Sequence, residues 1–368
     1  MSSIKNIYKD KKVLITGHTG FKGSWLSVWL TKLGAHVIGV SNNIPTIPSN
    51  FEASAVSSLV EDHRIEIMYF NKVNNVISKS EPDFIFHLAA QALVYPAYEN
   101  PLQTLLINSM GTANILESIR LLEKPLVAVM ITSDKAYDNV EWVWGYKETD
   151  ALGGKDPYSA SKGMAELAIK TYVESYFTSP DNGVRLGITR AGNVIGGGDW
   201  AEKRIVPDCM EAWRNNNVVE IRRPDATRPW QHVLEPLSGY LSLGAELYNN
   251  PQKHGQAYNF GPSASQNYSV RQLIDEMSLS WSNVRWDDVS KDEKHLHEAG
   301  LLKLNCDKAL FDLKWLPTMQ FAETVKMTVD WYKAFYETKG DSMQEFTYSQ
   351  IDQYTRLAKD RERFWTAL

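Results

Sequence analysis

Gly17-His18-Thr19-Gly20-Phe21-Lys22-Gly23 stands between the apolar run Val13-Leu14-Ile15-Thr16 and a stretch where Phe21, Trp25, Val28, Trp29 and Leu33 recur at helical spacing. Strand, glycine turn and helix in that order form the context in which a Gly-rich segment holds a dinucleotide. Gly17 permits the tight turn, Gly20 lets a pyrophosphate approach the backbone, and Gly23 lets the helix pack on the sheet. The helix N-terminus then faces the anion. The spacing is GxxGxxG rather than GxGxxG, so the position of the motif carries the reading more than its letters. The whole segment, Gly17, His18, Thr19, Gly20, Phe21, Lys22 and Gly23, reads as cofactor-binding. Within it, His18 either approaches a cofactor phosphate or ribose or is a solvated loop residue.

Outward from this turn the chain keeps alternating. His36–Val40, Phe84–Leu88, Leu126–Ile131 and Leu186–Thr189 are short apolar strand candidates. Between them lie helix-period stretches, among them one carrying Val73, Val76 and Ile77, then Leu102–Leu122 and Tyr158–Phe177. Such alternation predicts an α/β fold, a Rossmann-type doubly wound parallel sheet covered by helices on both faces. The pattern changes after about Gly192 into mixed sequence containing Trp and Arg, which reads as a smaller mixed C-terminal substrate domain. Residues 1–192 are then the nucleotide-binding domain. A returning segment at about 230–260 joins it, with Leu234–Leu247 as a helix and Ala257–Phe260 as a strand. Residues 193–229 and 261–368 make the second domain. In the tail, Ile351, Tyr354 and Ala358 fall in helical register, without a readable function.

The 368 residues carry 39 basic and 44 acidic side chains, a formal charge of −5. That balance argues against a nucleic-acid partner, which needs a basic stripe. No stretch approaches the roughly 20 apolar residues of a membrane helix. The polar N-terminus from Met1 to Lys12 does not read as a secretory signal. Cys209 and Cys306 are too few for a disulfide framework or a zinc site, so no metal is expected. These features describe a cytoplasmic enzyme with a small-molecule substrate and no membrane association.

The second strand ends Val40-Ser41-Asn42, with neither an acid for an adenosine 2′-hydroxyl nor an Arg for a 2′-phosphate. Hydroxyl and amide groups there favour NAD over NADP. Asp62 is a candidate acceptor for the adenine amino group. After Pro157 comes Tyr158-Ser159-Ala160-Ser161-Lys162, in which Tyr158 and Lys162 share one helical face. An ammonium so close is expected to lower the phenol toward neutrality. Such a Tyr removes a proton from a hydroxyl while hydride leaves the same carbon. The strand Leu126–Ile131 runs into Thr132-Ser133-Asp134-Lys135 at its carboxyl end, where ligands gather in a doubly wound sheet.

Together the Gly17–Gly23 loop, His87-Leu88-Ala89-Ala90-Gln91, Thr132–Lys135 and Pro157–Lys162 resemble the extended short-chain dehydrogenase/reductase family over nearly the whole chain. Four longer runs resemble one branch of it, the CDP-glucose 4,6-dehydratases: residues 17–25, Trp142-Val143-Trp144-Gly145-Tyr146, residues 192–200, and Arg228-Pro229-Trp230-Gln231-His232-Val233. The resemblance implies NAD as a permanently bound cofactor, with Leu88, Ala89 and Ala90 joining the glycine loop, Tyr158 and Lys162 around it. It implies oxidation at C4 of the sugar, loss of water across C5 and C6, and reduction at C6. Tyr158 is then the base at C4, Lys162 its partner, and Ser133 a hydrogen-bond donor to the C4 oxygen. Asp134 is the acid for the C6 hydroxyl.

Lys135 departs from the dTDP-glucose dehydratases, which the resemblance gives an acid at that position. It is either the base at C5, neutral for part of the cycle, or a cation that stabilises the C5 enolate. Asn193, Arg204, Arg228 and Trp230 are the substrate-side candidates, with Asn193, Arg204 and Arg228 for the diphosphate. His297-Glu298-Ala299-Gly300 replaces an Arg-bearing segment of dTDP-sugar relatives. The helices 102–122 and 158–177 resemble a pair that forms a four-helix homodimer interface. Two other readings compete: a dehydratase or epimerase for another nucleotide sugar, and a nucleotide-binding sensor without turnover. An epimerase needs Tyr158 and Lys162 but not the Asp134–Lys135 pair.

Overall fold

The computed structural model describes residues 4–178, 183–291 and 301–367. Seven strands form one parallel sheet: β1 Lys12–Thr16, β2 His36–Ser41, β3 Glu61–Arg64, β4 Phe84–His87, β5 Leu126–Ile131, β6 Val184–Ala191 and β7 Ala257–Phe260. Their order is β7-β6-β5-β4-β1-β2-β3. The direction of winding reverses between β1 and β4, where Thr16 pairs with Val40 on one side and His87 on the other. At such a switch point the loops diverge and leave a crevice over the carboxyl ends of the strands.

Strands β4 and β5 are buried along their whole length, as central parallel strands require. The β3 strand is different. Its sequence Glu61-Asp62-His63-Arg64 carries no apolar residue, because it closes the sheet edge and two of its four residues are exposed.

The helices that matter here are α1 Phe21–Lys32, α2 Phe70–Ser80, α3 Gly111–Leu122, α4 Pro157–Ser175, α5 Leu234–Asn249, α6 Phe321–Thr338 and α7 Met343–Asp360. One sheet face packs on α2, α3 and α4 through Val73, Ile77, Ile115, Ile119 and Ile169. The other packs on α1 and α5 through Trp25, Leu26, Leu237 and Leu241, and the same core continues into α6 and α7. The stretch expected as one helix over 102–122 is interrupted. Residues 101–105 are α-helical, Leu106–Met110 form a π-turn, and α3 follows. Helix α4 starts on Asp156, whose carboxylate accepts from Ser159 N at 3.0 Å, with Pro157 at the first turn.

Beyond Gly192 the chain returns to the sheet in α5 and β7. The rest adds helices 205–214 and 270–278 and three two-stranded pairs, and it contributes residues to the crevice. The segment 297–300 lies outside the described residues.

Glu235, at the start of α5, is fully buried. It accepts from Thr318 N (2.9 Å), Met319 N (2.6 Å) and the Tyr354 hydroxyl (2.9 Å), so it ties α5 to the loop before α6 and to α7. Burial pushes its carboxyl from 4.5 up to about 7, against those hydrogen bonds. A carboxyl raised on folding binds its proton more tightly in the native state. Its contribution to stability is complete below pH 4.5 and is lost as pH rises through about 7, a swing of roughly 3 kcal/mol. Glu235→Gln is therefore expected to flatten the fall in melting temperature between pH 5 and pH 8. Equal pH dependence in variant and parent would contradict this.

Candidate active site

The crevice over β1, β4 and β5 is a cleft of about 1030 Å³. Gly17 turns in the left-handed region at φ +77°, and a Cβ on Gly23 would meet Gly17 O at 2.0 Å. The turn therefore closes only on glycine at both ends. Gly20, Phe21 and Lys22 face the cleft at the N-terminus of α1, and Gly20 supplies no side-chain cap. The first amides of α1 are thus left for an anion. Leu88, Ala89 and Ala90 line the opposite wall. Ala89 N donates to Thr16 Oγ1 (3.1 Å), and Gln91 N donates to Asn108 Oδ1 (2.8 Å) in the π-turn. Asn108 in turn donates to Ser161 Oγ (2.8 Å), so the wider turn joins the β4 loop to α4.

Two expected cofactor contacts do not line the cleft. His18 is fully buried beneath the glycine loop, with its ring against Gly39 and its Nε2 3.0 Å from Asp62 Oδ1. It is neither a solvated loop residue nor a cleft residue. Asp62 is occupied by His18 and by Arg64, whose Nη2 lies 2.8 Å away. The carboxylate at that end of the cleft is Glu66 instead, accepting from Asn42 Nδ2 at 2.8 Å. Glu66 follows a polar edge strand that carries no hydrophobic pattern, so no sequence signal pointed to it. These groups, with Ser41 and Asn42, fit a dinucleotide: a glycine turn, a bare helix N-terminus and a carboxylate with amides at the second strand.

At the centre the expected catalytic residues come together. Ser133, Asp134, Lys135, Tyr158 and Lys162 all line the cleft. Ser133 Oγ donates to Asp134 Oδ1 (3.0 Å) and accepts from Lys135 N (3.2 Å). Burial raises Asp134, with Lys135, Ser133 and Lys22 opposing, which favours a protonated acid. The expectation that Lys162 lowers Tyr158 is not met. Burial pushes the phenol up to about 12, opposed by the Ser133 hydrogen bond and by Arg204. The Lys162 ammonium sits 6.0 Å from the ring centroid, and burial and Lys22 bring it down to about 8.

Lys22 is the unforeseen member of this group. It too is brought to about 8, by burial and Arg204, against Asp134 and Asp199. Its place in the glycine motif masked its reach toward the chemistry. His87, by contrast, is structural. It lies between the hydroxyls of Thr16 (2.7 Å) and Thr112 (3.0 Å), and burial brings it down to about 3.

On the substrate side Asn193, Arg204, Arg228 and Trp230 also line the cleft. Arg204 pairs with Asp199 at 2.8 Å and lies within the field of Tyr158, so it belongs to the reacting end. Trp230 is mostly buried and donates to Tyr268 O at 3.1 Å. Lys203, Arg222 and Arg223 also line the cleft, with Lys203 Nζ 4.2 Å and the Arg222 guanidinium 5.3 Å from the Tyr95 ring centroid. Arg222 and Arg223 were not among the expected residues; the paired arginines of Arg222-Arg223-Pro224-Asp225 are the sequence signal that could have found them.

The model of the GDP-mannose 4,6 dehydratase family matches residues 14–328. The chain belongs to that family. A CDP-glucose 4,6-dehydratase from Salmonella typhimurium is 45% identical over 95% of this chain and 98% of its own length. A GDP-mannose 4,6-dehydratase from Vibrio cholerae is 30% identical over 72% of this chain and 70% of the relative. Among solved structures, a dTDP-glucose 4,6-dehydratase from Streptomyces venezuelae with NAD bound superposes at TM-score 0.73. It has 21% identity and covers 89% of this chain and 98% of that one. This dehydratase-family chain thus shares the doubly wound fold predicted from its sequence. None of its described helices is long and apolar enough to cross a membrane.

Proposed function

We propose that the protein is a CDP-glucose 4,6-dehydratase acting in the cytoplasm. The observation that carries the reading is the joint presence in one cleft of a redox pair, Tyr158 and Lys162, and an acid–base pair, Asp134 and Lys135. An epimerase has use for the first pair alone. The choice of CDP rests on the 45% identity to the Salmonella enzyme.

Residues 1–192 with 230–260 hold NAD on this reading, and 193–229 with 261–368 supply the sugar-nucleotide side. NAD bound at the glycine turn would supply the hydride acceptor and donor of the cycle and the positive charge of an oxidised ring. Tyr158 takes the C4 hydroxyl proton while Ser133 holds that oxygen. The 4-keto group acidifies C5–H, which Lys135 removes or whose enolate it stabilises. Asp134, whose carboxyl burial raises above its usual range, gives its proton to the departing C6 hydroxyl. Lys162 holds the nicotinamide ribose. Arg228 and Asn193 take the diphosphate, with Arg222 and Arg223 beside them.

The reading is tested by incubating the protein and NAD with CDP-, dTDP-, UDP- and GDP-glucose in turn. A 4-keto-6-deoxy sugar is expected from CDP-glucose alone. Turnover of another nucleotide in its place would overturn the CDP assignment, and binding of NAD without turnover of any would favour a sensor.

We also propose a homodimer. Leu102, Leu106 and Met110 are exposed at successive turns of the helical segment before α3, and Met164 and Leu167 are exposed on α4. These side chains form an apolar face on the two helices. Leu106→Glu with Leu167→Glu is expected to convert a dimer to a monomer in sedimentation. A parent protein that sediments as a monomer would contradict the proposal.

A further inference from the structure

Behind the catalytic groups lies a buried ion pair that no step of the proposed reaction uses. Glu166 is one turn beyond Lys162 on α4, and Arg190 is on β6. Their side chains are 2% and 3% exposed. Arg190 grips the carboxylate with two nitrogens, Nε to Oε1 at 2.7 Å and Nη2 to Oε2. Oε1 also accepts from the Thr132 hydroxyl at 2.7 Å. The third guanidinium nitrogen, Nη1, donates to the Tyr137 hydroxyl (2.6 Å), which donates to Asn259 Oδ1 on β7 (2.8 Å). Asn259 Nδ2 then donates to Tyr146 O (2.9 Å) and Asn305 O (3.0 Å).

Thr132 and Tyr137 flank Ser133, Asp134 and Lys135. The network therefore grips both ends of the turn that carries the elimination residues. It anchors that turn to the helix that carries the redox residues. A buried bidentate pair with every polar group engaged has one geometry, and removing one partner strands a buried charge. We propose that Glu166 and Arg190 are positioning residues: they fix the distance between the Ser133–Lys135 turn and the Tyr158–Lys162 face.

Lys162 gives this role a readout that a merely structural pair would not move. Facing it are Lys22 from the start of α1, His87 from the end of β4, and Tyr158 and Glu166 on its own helix. Lys22 opposes its charge, and Glu166 supports it. Without the Glu166 carboxylate Lys162 loses its proton at lower pH. A reaction that needs the ammonium then fails earlier as pH rises.

The kinetic arm of the test rests on the dehydratase reading, and the spectroscopic arm does not. In full-length protein carrying [ε-¹³C]lysine, with Lys162→Arg used for assignment, Glu166→Gln is expected to shift the Lys162 titration down by roughly one unit. In turnover of CDP-glucose the same variant is expected to lose roughly 10- to 100-fold in kcat with KM nearly unchanged, and its alkaline limb moves to lower pH. Thr132→Val removes the hydroxyl alone, with its bonds to Glu166 and to Thr189 O, and leaves the ion pair in place. It is expected to slow C5–H exchange with solvent more than C4 oxidation, with the alkaline limb unmoved. An unshifted Lys162 titration in a folded Glu166→Gln protein would overturn the electrostatic role. Parent-like kinetics in Thr132→Val would overturn the positioning role. Absence of turnover in the parent would instead refute the dehydratase reading and leave the titration as the test.

Discussion

Tyr158→Phe is expected to abolish turnover while leaving the fold intact. On the proposed reading the phenol oxygen takes the C4 proton, and Ser133 is its hydrogen-bond partner. Loss of a positioned general base costs roughly 10²- to 10⁴-fold. Loss of one hydroxyl from a buried ring costs stability of about 1 kcal/mol. The ring remains to pack, so the circular dichroism spectrum and NAD affinity stay close to the parent's. The raised phenol adds a pH signature. With Tyr158 pushed up to about 12, the parent depends on positive charge around the site to form phenolate, and its rate is expected to rise with pH before Lys162 discharges near 8. Parent-level turnover by Tyr158→Phe would remove Tyr158 from the chemistry.

Lys135→Met and Asp134→Asn are expected to divide the reaction in the middle. In the proposed cycle oxidation at C4 uses Tyr158 and Ser133, which neither substitution removes. Elimination needs a proton removed at C5 and one delivered at the C6 oxygen. Each variant is therefore expected to lose roughly 10²- to 10⁴-fold in product formation, with reduced cofactor accumulating on the protein. Lys135→Met separates the two readings of that residue. If Lys135 is the base, exchange of C5–H with deuterated solvent stops with it. If it stabilises the enolate, exchange slows but persists. Exchange and product formation at the parent rate would exclude both. In Asp134→Asn the C5 exchange is expected to survive better than water loss, because Asp134 acts on the leaving oxygen.

Much of this arrangement was legible because parallel strands buried on both faces cannot avoid apolar runs. Val13–Thr16, Phe84–His87 and Leu126–Ile131 announced themselves, and their carboxyl ends located the cleft. Tyr158 and Lys162 were found from helical spacing, and Ser133–Lys135 from the end of β5. What escaped the sequence was set by tertiary context. The edge strand Glu61–Arg64 has no apolar signature, so neither it nor Glu66 after it was visible. His18 sits in a loop by sequence but is buried under it because Gly39 leaves room for its ring. The raised phenol of Tyr158 follows from burial, which spacing does not report. The Glu166–Arg190 pair joins residues 24 apart through a fold that must exist before they meet.

The most direct test of an internal oxidation, elimination and reduction on one chain is the fate of the C4 hydrogen. CDP-glucose deuterated at C4 should yield CDP-4-keto-6-deoxyglucose carrying that deuterium at C6, transferred within a single sugar. Deuterium found again at C4 of an epimerised sugar, or lost to solvent, would contradict the proposed cycle.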